Sequence, residues 1–189
     1  NGTVTFVKPK NKKVTKVVIP ATVTIDGIKY KVTGISANAF KGCNKLDTFT
    51  SASTTSIGAS AFEGCSSLAA VNFSEANELL NLGEYAFAGC ETLASITLPE
   101  GLTEIEGNAF YNCKSLADVI IEDRTAVLTL GSNGSSSSSS ATASTNPLFY
   151  SCPLDSVYIG GKISYKTDAK YGFSPFFRNT SLRTVVVSD

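Results

Sequence analysis

Histidine is missing from all 189 residues. That removes the usual base of a Ser-His-Asp or Cys-His site. It also weakens any metal site, because no Cys-x-x-Cys pair is present. Glycine-rich phosphate cradles of the P-loop or dinucleotide kind are lacking as well. No run of 18 apolar residues occurs, so no transmembrane helix and no membrane insertion are predicted. The start, Asn1-Gly2-Thr3, has no basic-then-apolar leader and reads as a processed or trimmed terminus, which leaves export open. The carboxylates Glu63, Glu84, Glu91, Glu104 and Glu106 are scattered over variable positions. None forms an isolated pair of the spacing that glycoside hydrolysis needs. The expectation is a chain without catalytic residues, cofactor or metal.

What the chain does have is a repeat. The stretch Ile57–Phe73, IGASAFEGCSSLAAVNF, recurs in six segments. Its phenylalanines are Phe40, Phe62, Phe87, Phe110, Phe149 and Phe177, and the leucines that follow are Leu46, Leu68, Leu93, Leu116, Leu154 and Leu182. The Phe-to-Phe steps are 22, 25, 23, 39 and 28 residues. The Phe-to-Leu distance is six residues in the first four copies and five in the last two. Each copy ends in an alternating core such as Leu93-Ala-Ser-Ile96-Thr-Leu98, a strand signal. Repetition at this period, with an L-x-x-L-x-L core, is the mark of a leucine-rich-repeat coil. One copy cannot bury its own apolar face, whereas stacked copies bury a continuous core. The predicted fold is a β-rich solenoid, a right-handed coil of about six repeats. The Ala-Phe segments are too short for long helices, so short helical or 3₁₀ turns are expected there.

The pattern I-G-x-x-A-F-x-G-C-x-x-L-x-x-V-x-L resembles the BspA-type leucine-rich repeats of bacterial surface proteins, close to the Treponema pallidum type. The resemblance covers about residues 35–189, and the four copies from Ile35 to Ile121 match closely. The segment from Leu148 to Ile159, with Tyr171 to Phe177 after it, is similar to variants common in gut Bacteroidetes. The resemblance implies a binding scaffold without a shared catalytic set. It also implies an exported or surface-attached protein that contacts host molecules or other cells. Its partner would be a host extracellular protein, another cell-surface protein or a glycan. The alternative is a structural spacer of a longer surface protein, with no ligand of its own.

Residues 1–34 lack the motif and are expected to form an N-terminal β cap on the solenoid of residues 35–189, the whole being one structural domain. Val4 to Val7 and Val14 to Ile19 read as strands. Val23 to Ile25 and Ile28 to Val32 flank Asp26-Gly27, a strong hairpin signal. The first 50 residues hold nine lysines against Asp26 and Asp47, a balance of +7, and the remainder of the chain balances this at −7. Steering of a partner and ordinary solvated faces both fit this polarity. Because the cap has lysine but no arginine, and no stacking groove, no nucleic-acid partner is expected.

Cys43, Cys65, Cys90, Cys113 and Cys152 share one repeat position, three residues after the phenylalanine, where the sixth copy has Thr180. Stacked equivalents lie about 4.8 Å apart with parallel Cβ vectors. A disulfide needs converging Cβ atoms nearer 3.8 Å, so five free, buried thiols are predicted. A Ser-rich loop is expected at 131–147, including six serines in a row from Ser135. Ala126 to Leu130 can form a strand before it, and Ser156 to Gly160 is expected to pair with Lys162 to Tyr165 around Gly160-Gly161.

Along each strand, alternate residues point outward. The last outward row reads Thr50, Asn72, Thr97, Ile120, Tyr158, Val186, and so becomes apolar toward the C-terminal end. Ile120, Tyr158 and Val186, rimmed by Asp118, Asp155 and Arg183, are the candidate partner-binding residues. The competing expectation is that the Ser-rich segment or the 162–165 strand folds over this row.

Overall fold

The computed structural model describes residues 2–73, 78–132, 148–165, 175–176 and 179–188. Most of the expected Ser-rich loop, and the segment Tyr171–Ser174 with Phe177, lie outside the described residues. Among the described residues fifteen strands follow in order: β1 (Thr3–Phe6), β2 (Lys16–Ile19), β3 (Thr22–Ile25), β4 (Ile28–Ile35), β5 (Thr48–Ser51), β6 (Ser56–Ile57), β7 (Ala70–Phe73), β8 (Asn81–Leu82), β9 (Ser95–Leu98), β10 (Glu104–Glu106), β11 (Asp118–Ile121), β12 (Leu128–Ser132), β13 (Ser156–Gly160), β14 (Ile163–Tyr165) and β15 (Thr184–Ser188). The L-x-x-V-x-[apolar] strands form one wall of the solenoid. This wall is divided into β2-β5-β7 and β9-β11-β13-β15. The short aliphatic strands that open each copy form the opposite sheet, β1-β4-β6-β8-β10-β12-β14. All pairings are parallel except the β3–β4 hairpin.

The hairpin forms as its turn residues require. Asp26 and Gly27 both adopt positive φ, 50° and 77°, the primed-turn geometry that matches strand twist. β2 does more than cap, because it pairs with β5 in the repeat's own register, Lys16 opposite Thr48.

Between the sheets runs the phenylalanine stack. Phe40, Phe62, Phe87, Phe110 and Phe149 are buried and near-parallel, with centroid steps of 5.0, 5.0, 5.6 and 5.3 Å. The ladder continues beyond the motif at both ends. Phe6 stacks on Phe40 at 4.9 Å, and Phe176 stacks on Phe149 at 5.8 Å. Phe176 thus takes the sixth place in the stack, six residues before Leu182 as in the first four copies, while the expected Phe177 lies outside the described residues. With that shift Asn179, not Thr180, takes the cysteine position. Its N–H donates to Phe176 O at 3.0 Å, and its Nδ2 donates to Cys152 O at 2.8 Å.

The expected short helical turns take the form of single i→i+3 turns, and no helix occurs among the described residues. Cys43 N–H donates to Phe40 O at 2.9 Å, and Lys41 N–H to Asn38 O at 3.1 Å. The turns do not propagate, because left-handed residues punctuate them. Asn38, Ser60, Tyr85 and Asn108 have φ of 56–59°, and Gly42, Gly64, Gly89 and Asn112 have φ of 60–72°. This explains why the motif wants Gly or Asn before the first four cysteines, and Ser151 takes the same left-handed place before Cys152, with φ 59°. The amides between them bond to the next coil instead, Phe40 N–H to Ala61 O and Phe62 N–H to Ala86 O, both at 2.7 Å. The coils come so close at the motif's first glycine that a Cβ on Gly83 would lie 2.5 Å from the Ala59 nitrogen.

All five thiols are free and buried. Four of them are also donors. The Sγ atoms of Cys65, Cys90, Cys113 and Cys152 point at the phenylalanine carbonyl one coil back, at 3.0–3.4 Å. A weak donor of small volume suits this row, since the carbonyl already accepts one backbone N–H. Burial raises the Cys65 thiol to about 12 and the Cys90 thiol well above its ordinary range.

The expected hairpin around Gly160-Gly161 does not form. β13 and β14 do not pair with each other. β13 joins β11 and β15 on one wall, and β14 joins β12 on the other. Gly160-Gly161 turns the corner between walls, and a Cβ on Gly160 would lie 2.3 Å from the Asp123 nitrogen. Close stacking of the corners, not a hairpin, is what these glycines serve.

Candidate interaction surface

The strand wall brings the expected row together. Ile120, Tyr158 and Val186 are direct partners across β11, β13 and β15. Ile120 is 45% exposed and Val186 46% exposed, while the Tyr158 ring is half-buried. Tyr158 Oη donates to Asp123 Oδ1 at 2.6 Å, and Ser188 Oγ donates to the same oxygen at 3.0 Å. These two bonds hold the Asp123 carboxyl below its usual range. The tyrosine is thus pinned over the strand face. Asp118 accepts from Ser156 Oγ at 2.6 Å, and Arg183 meets Asp155 at 3.3 Å, an exposed pair of small energetic weight. β14 lies in the opposite sheet and so does not fold over the row, while residues 133–147 of the Ser-rich segment lie outside the described residues. Val185 and Val187, expected inward, are exposed on β15, on which no described coil stacks.

Charge polarity is partly consumed between coils. Lys31 reaches Glu78 and Lys41 reaches Glu63, both at 2.7 Å. Burial opposes the Glu63 charge, but the Lys41 contact outweighs it and lowers that carboxyl. Arg124 spans three coils, with Nε on Gly160 O at 3.2 Å and Nη1 on Leu102 O at 2.8 Å, and burial draws its pKa down.

A second feature escaped the sequence reading. The strand wall is split between β7 and β9, and no ladder joins them among the described residues. In a parallel ladder, alternate residues turn their N–H and C=O to opposite neighbours. Ala70 N–H donates to Asp47 O at 3.2 Å, and Asp118 N–H to Ala94 O at 3.3 Å, which sets the alternation here. Val71 and Phe73 on β7, and Ser95 and Thr97 on β9, therefore direct main-chain groups into the split. Pro99 gives a local reason for it. Glu122 N–H donates to Leu98 O at 3.0 Å and Ala52 N–H to Ile19 O at 3.2 Å, but the equivalent Pro99 has no N–H to offer Phe73 O. The split opens a cleft of about 390 Å³, with Glu100 and Glu122 among its wall residues. Val71 and Phe73 are only half-buried beside it, while their counterparts Ile96, Leu98, Val119 and Ile121 are buried. Proline at a donor position and the long 25-residue step between Phe62 and Phe87 were the available signals.

Comparison with known proteins agrees with this architecture. A model of the BspA type leucine rich repeat region matches residues 10–142 in six copies. The chain belongs to the BspA-type leucine-rich repeat family. Among solved structures, the leucine-rich repeat protein of T. pallidum matches with a TM-score of 0.70 at 24% identity, over 96% of this chain and 73% of that one. A leucine-rich repeat protein from Bacteroides capillosus matches with a TM-score of 0.55 at 32% identity, over 64% of this chain and 88% of that one. A leucine rich cell surface protein from Faecalibacterium prausnitzii matches with a TM-score of 0.60 at 22% identity, over 98% of this chain and 50% of that one. None of the curated proteins matches the chain. The first and third of these likenesses speak for the fold alone. The BspA-type match marks the chain as a repeat module suited to protein interaction.

Proposed function

We propose that this BspA-type chain is a secreted or cell-surface recognition module that holds a protein or glycan partner against its strand wall. The observation that carries the reading is the in-register, exposed row of Ile120, Tyr158 and Val186. Two aliphatic side chains flank an aromatic ring fixed by its bond to Asp123, and Asp118, Asp155 and Arg183 supply a polar rim. Apolar anchors inside a polar rim are the anatomy of an interface, and tyrosine is favoured among anchors. The surface location in this reading rests on the resemblance of the repeat to those of bacterial surface proteins.

The test is saturable binding of the purified chain to immobilised extracellular-matrix proteins, mucins and glycans, alongside an Ile120→Ala, Tyr158→Ala double variant. Binding that is lost in the folded variant supports the row. Binding that persists in the variant keeps recognition but moves the contact elsewhere on the wall. Silence across the panel favours the spacer reading, which the unbroken phenylalanine stack would suit.

A further inference from the structure

We propose that the split between β7 and β9 is a docking slot for an extended segment of a partner protein, one that carries a lysine or arginine. The inference deepens the recognition reading by giving the strand wall a second, specific contact. Both edges of the slot present main-chain donors and acceptors, from Val71 and Phe73 on one side and Ser95 and Thr97 on the other. The ligand that satisfies both edges at once is another polypeptide main chain in extended form, since its groups repeat at strand spacing. Val71 and Phe73 stand half-buried beside the slot, where alternate side chains of an inserted strand would cover them. Glu100 and Glu122 supply the charge. Neither is in an ion pair among the described residues, and Glu100 N–H donates to Glu122 Oε2 at 3.2 Å, which leaves the other carboxylate oxygens for a basic side chain.

Taking a strand requires β7 and β9 to stand two spacings apart, about 9.6 Å. No ladder resists that widening on the strand wall. On the opposite wall, β6, β8 and β10 stay paired, and Phe62 stays stacked on Phe87 at 5.0 Å, so the coils part as a hinge does. Pro99 keeps the resting slot from zipping shut at its end.

The experiment is amide hydrogen exchange by NMR on the whole chain, free and with a synthetic peptide of the β2 sequence, residues 14–20. That sequence already pairs in parallel on this wall, beside β5, and carries Lys16. In the free protein, the amides of Val71, Phe73, Ser95 and Thr97 should exchange roughly a hundredfold faster than those of Ile96 and Leu98, which point into a formed ladder. The peptide should protect those four amides, and a version N-methylated at alternate residues should not. Slow exchange of the four in the free protein would overturn the proposal. So would protection confined to other amides, or no protection at millimolar peptide. Protection by maltose but not by peptide would reassign the slot to a sugar and overturn the occupant. If the slot fails while panel binding remains saturable, the recognition reading stands without it.

Discussion

A pair of proline substitutions tests whether the strand wall is truly divided. Thr97 and Ile120 occupy the same position in successive coils, as direct partners in the β9–β11 register. Both side chains are exposed, so neither substitution empties a core. Ile120 N–H points to Ile96 O within a formed ladder, whereas Thr97 N–H points into the split. Ile120→Pro removes a ladder donor, leaves the Ile96 carbonyl without its partner and presses the ring against it, a cost of about 1–3 kcal/mol. Thr97→Pro removes no ladder bond, and its stiffer unfolded chain returns about 0.4–1 kcal/mol. The adjustment of φ toward the proline value is common to both and cancels in the comparison. The expected difference is about 2 kcal/mol, or roughly 4–8 °C in Tm for a domain of this size. Thermal unfolding followed by circular dichroism on both variants measures it. Equal losses would mean that β7 and β9 are bonded to each other in solution, and would refute the division of the wall.

Phe87→Ala should lower stability by about 3–5 kcal/mol in denaturant unfolding, because the ring is fully buried between Phe62 and Phe110 and truncation leaves a gap in the stack. A loss under about 1 kcal/mol would show that the coils close up around the gap. Ellman's reagent should find no thiol in the native chain at mildly alkaline pH and five after denaturation, since all five are buried away from the reagent and burial also holds the Cys65 and Cys90 thiols protonated. Fast reaction of the native protein would contradict the cysteine ladder. Glu106→Gln should raise Tm at neutral pH and change nothing in acid. Burial raises the Glu106 carboxyl above its ordinary 4.5 despite the Glu84 N–H at 2.9 Å, so its contribution to stability falls as pH rises from 4.5 through the raised value. An unchanged Tm at neutral pH would mean the carboxyl is solvated.

The repeat makes much of this fold legible in the sequence. Period, strand positions and the cysteine row rest on a local pattern that recurs from copy to copy, and the Asp26-Gly27 hairpin on a local turn signal, so each could be read along one chain. The preference for Gly or Asn before cysteine was visible too, although its cause, a left-handed residue between stacked turns, needed the backbone angles. The candidate row was legible because strand alternation and coil register together fix which side chains become neighbours.

Other features depend on how coils meet. Phe6 and Phe176 join the aromatic stack from outside the motif because their rings reach the right height, which no spacing rule announced. Asn179 replaces cysteine once the last coil shifts by one residue. β13 and β14 separate because the chain turns a corner at Gly160-Gly161 instead of reversing. That the 162–165 strand does not cover Ile120 and Val186 follows from its place beside β12 in the opposite sheet. The split between β7 and β9 belongs here as well. A missing donor at Pro99 is written in the chain, but whether two edges stand apart is decided by the distance between coils. That distance is set by packing on both walls at once, beyond the reach of any single repeat.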